Sequence, residues 1–85
     1  MSNATIKPIN NQFAIVEMGA QERTIEMDQV AEMAAALKAN GLEVEITLKA
    51  NGFRLSNDAT EALLEIAGLS DFQAAKATAS GRISL

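Results

Sequence analysis

Histidine, cysteine, tyrosine and tryptophan are all missing from this 85-residue sequence. Without histidine the chain lacks the one side chain that ordinarily titrates near neutral pH, and with it the commonest general acid–base group. Without cysteine there is no thiolate nucleophile and no disulfide, so stability must come from packing. Together the two absences exclude Cys–His and Ser–His nucleophile pairs and any zinc site built on His or Cys. Carboxylate pairs, or a Ser or Thr activated by Lys, are the chemistry that remains. Glu43 and Glu45 are one such pair, about 7 Å apart if they share a strand face, but a strand with one face in water needs polar residues there in any case. We therefore expect no enzyme, no cofactor, no metal and no small-molecule substrate.

Other absences narrow the function further. No apolar run approaches the roughly 20 residues that cross a bilayer, and no basic start leads into an apolar core as in a signal peptide. The expectation is a soluble, cytoplasmic protein with no membrane partner. The five glycines stand singly, so no glycine-rich loop leads into a helix to cradle phosphate. Basic clusters interleaved with aromatics are also lacking, which argues against nucleic acid. The three phenylalanines, Phe13, Phe53 and Phe72, read as core.

The net charge is −4, and it is local. Between residues 17 and 32 stand Glu17, Glu22, Glu26, Asp28 and Glu32 against Arg23 alone, while the remaining acidic and basic residues balance. This segment lacks the glycine-centred oxygen spacing of a calcium loop. It is either a solvated face or a surface for a basic partner.

Local patterning predicts an α+β fold. Met1 to Asn11, with the single proline, reads as a flexible or extended N-terminal arm, and residues 12–85 as one domain. Gln12 to Met18 and Arg23 to Met27 are β-rich runs joined by Gly19-Ala20-Gln21-Glu22, a pairing that sets Val16 opposite Ile25 and Ala14 opposite Met27. Asp28 is the expected N-cap of a helix with a Val30, Met33, Ala34, Leu37 stripe, closed at Gly41 in a Schellman-type turn. Leu42 to Lys49 alternates apolar and polar, and Asn51-Gly52 then favours a tight hairpin that sets Lys49 opposite Arg54. A second helix is expected from Asp58 with Glu61 in a capping box, ending at Gly68, and a weaker one from Ser70, ending at Gly81. Residues 82–85 suit an edge strand. The order is ββαββα with a terminal β, about four strands in one layer packed by two main helices. Setting one strand aside leaves βαββαβ, the ferredoxin-like order.

With chemistry excluded, the surfaces left without a structural duty point to contact with another protein or with copies of this chain, as in a subunit of a larger complex such as a phage particle. The acidic residues Glu17, Glu22, Glu26, Asp28 and Glu32 would face a basic partner, the alternative reading being a small acidic regulatory or inhibitor protein. Lys49 and Arg54, like charges opposed across a hairpin, are a candidate anion contact, and weak nucleic-acid contact through this pair is a third reading. Phe13 and Ile15, on the second face of their strand, and Ile83 and Leu85, at the chain end, are candidates for an oligomer interface.

Overall fold

The computed structural model describes residues 3–85. Seven strands and three helices follow one another as β1 (Asn3–Pro8), β2 (Phe13–Met18), β3 (Gln21–Glu26), α1 (Val30–Ala39), β4 (Glu43–Thr47), β5 (Lys49–Ala50), β6 (Phe53–Arg54), α2 (Asn57–Ala67), α3 (Asp71–Ser80) and β7 (Arg82–Ser84). Five strands form a mixed sheet in the order β3-β2-β1-β4-β7, while β5 and β6 pair only with each other. β1 is antiparallel to β2 and parallel to β4. Since β3 is antiparallel to β2, β3–α1–β4 is a parallel crossover that passes over two strands. Two strands thus lie between the parallel pair of this β–α–β crossover, and the second hairpin lies outside the sheet. Among the described residues no helix is long and apolar enough to cross a membrane.

The largest departure from the sequence reading is the N-terminal segment. Residues 3–8, expected in an arm outside the domain, form the middle strand of the sheet; Met1 and Ser2 lie outside the described residues. Ala4, Ile6 and Pro8 alternate inward and are buried. Pro8 ends the strand; with the Ile9 amide bonded to Phe13, its own nitrogen faces away from β2, past the Ile6–Ile46 pair that ends the β4 ladder. The Asn10 side chain then accepts hydrogen bonds from the Gln12 and Phe13 amides, both at 2.8 Å, and turns the chain into β2.

The β2–β3 register also differs. Val16 faces Arg23 and Ala14 faces Ile25, a shift of two residues from the expected pairing. The connection is the two-residue turn Gly19-Ala20 rather than a four-residue one. Gly19 at φ +60° supplies the positive dihedral that a II′ hairpin needs at its first central position. Because side chains alternate with period two, the slide keeps every residue on its expected face.

Helix starts shift as well. Asp28 lies inside a 3-10 turn, Met27–Gln29, and the Gln29 side chain accepts from the Glu26 amide at 3.3 Å. Helix α2 is capped by Ser56, whose hydroxyl accepts from the Ala59 amide at 3.2 Å, so Asp58 falls in its first turn. Helix α3 begins as expected, with Ser70 and Gln73 exchanging hydrogen bonds. The close of α1 also follows expectation: the Leu42 amide donates to Leu37 and the Gly41 amide to Lys38, the two bonds of a Schellman motif.

One face of the sheet carries the core. Ile6, Val16, Val44, Ile46 and Ile83 pack beneath Val30, Ala34 and Leu37 of α1 and Ala59 and Leu63 of α2. Leu48 and Leu55, linked by a 2.9 Å backbone bond, extend this core under the small hairpin. Helix α3 buries no side chain; Ala77 rests against the core and Phe72, expected inside, is 79% exposed. The thinnest dimension, 19 Å, accommodates one sheet and one layer of helices at about 10 Å each. None of the described helices covers the second face of the sheet.

Candidate functional site

The uncovered face is the most distinctive surface of the molecule. It is built by the polar half of each strand's alternation: Thr5 and Lys7 from β1, Phe13, Ile15 and Glu17 from β2, Glu22, Thr24 and Glu26 from β3, Glu43, Glu45 and Thr47 from β4, and Arg82 and Ser84 from β7. The strand registers place Glu22, Glu17, Thr5, Glu45 and Ser84 side by side in a single row across all five strands. Neighbours in such a row stand about 5 Å apart, so the row holds three carboxylates.

Two cations answer them. Lys7 Nζ lies 2.8 Å from Glu17 Oε1, and Arg82 Nη1 lies 3.6 Å from Glu45 Oε1. The hydrogen bond from Lys7 to Glu17, with that carboxylate's charge and a smaller contribution from Glu22, raises the Lys7 pKa above its ordinary value. Among the described residues Glu22, Glu26 and Glu43 have no ion-pair partner. Glu22 sits directly opposite Glu17, an arrangement of like charges that is unfavourable without a counter-charge. At the β4 side of the row, Asn3, Thr5, Glu43, Glu45 and Ser84 line a shallow hollow. No three acidic side chains among the described residues converge closely enough to hold a metal ion.

The candidate residues are redistributed by this geometry. Of the acidic segment, Glu17, Glu22 and Glu26 lie on the open face, whereas Glu32 lines a depression on the helix side with Arg23 and Asp28 sits in the turn between the two sides. Glu43 and Glu45, which the sequence leaves as an ordinary wet strand face, join the acidic set because β4 lies beside β1. Phe13 and Ile15 are partly buried on the open face and α3 does not cover them; Phe13 stands opposite Glu26. Ile83 is 1% exposed and belongs to the core, so little of its side chain is left for a partner, and Leu85 packs partly against that core. Lys49 and Arg54 face each other across the small hairpin as expected, both exposed and apart from the acidic row. Thr5 and Lys7 escaped notice with the arm, although the alternation Ala4, Ile6, Pro8 against Thr5 and Lys7 was there to signal a strand.

No protein-family model, curated protein or solved structure matches the chain.

Proposed function

We propose that the protein is a non-catalytic protein–protein interaction or assembly module whose sheet is its contact surface, engaging another protein or copies of itself. The observation that supports this most is the uncovered sheet face, on which Phe13 and Ile15 lie partly buried among charged residues. A sheet in a two-layer fold exposes one face to water, and apolar side chains on that face gain by being covered. Sedimentation velocity over a wide concentration range, on the protein alone and mixed with lysate from its source, tests the reading. Faster-sedimenting species support it, and a strict monomer under every condition sinks it.

A second reading has its own observation. Among the described residues, five carboxylates, Glu17, Glu22, Glu26, Glu43 and Glu45, share the face with two cations, Lys7 and Arg82, which suits a small acidic regulator that presents this surface to a basic protein. Such binding weakens steeply between low and physiological salt. An affinity indifferent to salt removes it.

A further inference from the structure

Resting on that assembly reading, we propose that the protein joins head to tail with a second copy, β7 of one molecule adding antiparallel to β3 of the next. Both strands are edges of the five-stranded sheet, at opposite ends, and they run in opposite directions: β3 is parallel to β4 through β2 and β1, and β7 is antiparallel to β4. Two copies laid side by side in the same orientation therefore bring antiparallel edges together.

The free hydrogen-bonding groups match in phase. Along β3 the Met27 amide donates to the Gln12 carbonyl at 2.8 Å, so by alternation Arg23 and Ile25 also bond inward and Thr24 and Glu26 point their backbone groups outward. Along β7, Leu85 exchanges bonds with Val44 and Gly81 accepts from Leu48. Ile83 is thus turned inward, and Arg82 and Ser84 point theirs outward. Setting Arg82 against Glu26 and Ser84 against Thr24 makes both hydrogen-bonded pairs.

The side chains match in the same register. Arg82 meets Glu26 on the open face, Ser84 meets Thr24 beside them, and Ile83 meets Ile25 on the core face. Each is a favourable cross-strand pair: opposite charges, two hydroxyls, two β-branched aliphatics. Sliding by two residues to set Arg82 against Thr24 puts Ile83 beside Arg23 and loses the charge pair. Edge pairing of β3 with β3 fares worse. Centred on Thr24 it opposes Glu22 to Glu26 twice, and centred on Arg23 it opposes Arg23 to itself. The charges on β3 disfavour its own copy and accept β7. Ile25 and Ile83 are already 5% and 1% exposed, so pairing adds little apolar burial. The contact is one of ladder bonds and charge, weak in isolation and additive along a row of copies.

The absence of cysteine provides a clean test. Two proteins, Glu26→Cys and Arg82→Cys, both substituted at exposed positions, are mixed under mild oxidation. A directly opposed antiparallel pair has a Cα separation of about 5.5 Å, within disulfide range. The expected product is the mixed 26–82 dimer, several-fold in excess of a statistical mixture, with Glu22→Cys paired to Arg82→Cys linking several-fold less. A chain carrying both Glu26→Cys and Arg82→Cys is expected to give a ladder of oligomers. Statistical products from every pair overturn the proposal. Sedimentation of the unsubstituted protein separates the two claims: self-association alongside statistical cross-linking sinks the edge register and leaves the assembly reading standing.

Discussion

The two faces of the five-stranded sheet are written by the same strands in alternating residues, yet they have opposite physical characters. On one, Ile6, Val16, Ile46 and Ile83 are at most 1% exposed under two helices. On the other, the register lines up Glu22, Glu17 and Glu45, with Lys7 paired to Glu17 and Arg82 to Glu45. The buried face consumes its side chains in holding the fold, and the open one is free to be spent on contact. Even the ion pairs there lie in water, where such pairs add little to stability.

Substitutions that treat the faces unequally should break this comparison if it is wrong. The largest effect is expected from Ile6→Ala, at the centre of the buried face, which should cost about 2–5 kcal/mol in denaturant unfolding. A loss near zero would return residues 3–8 to the role of an arm. Ile15→Ala, one strand away on the open face, should cost about 1 kcal/mol or less by the same measurement. Phe72→Ala on α3 should change stability by no more than about 0.5 kcal/mol, since the ring is mostly in water, and a larger loss would mean that α3 packs more tightly than described. The smallest effect is at Lys7. Its pKa is raised in the folded protein, so whatever stability the pair with Glu17 contributes is fully present below the ordinary value of 10.5 and is lost as pH rises through the raised value. The difference in unfolding midpoint between the native protein and Lys7→Met should stay constant through neutral pH and narrow only above that ordinary value.

Much of the fold was legible in local patterns, because alternation, capping and turn chemistry act within a few residues. The Lys49–Arg54 opposition followed from Asn51-Gly52, whose residues take φ +55° and +82°. The Schellman close of α1 followed from Leu37, Gly41 and Leu42. What sequence could not reach was long-range. Asn3–Pro8 carries a strand's alternation, but it is short and ended by proline, and its place in the middle of the sheet comes from its two neighbours. The parallel pairing of β1 with β4 that brings Glu45 into line with Glu17 and Glu22 is likewise a tertiary fact. Phe72 misled because an aromatic residue is most often buried, and here it sits in the first turn of a helix that buries nothing. Ile83 was read as free because its strand was taken alone, without the helix above it.

The claim that contact resides on the open face is tested most directly by sedimentation of a fluorescently labelled protein in lysate from its source, the dye carried on Lys76→Cys of the exposed α3 surface. The label is compared with and without the double change Phe13→Ser/Ile15→Ser. The account predicts that the label on the otherwise unchanged protein sediments well ahead of a 9.0 kDa monomer, and that the double variant sediments markedly more slowly while remaining folded. Identical profiles for the two folded proteins would contradict it.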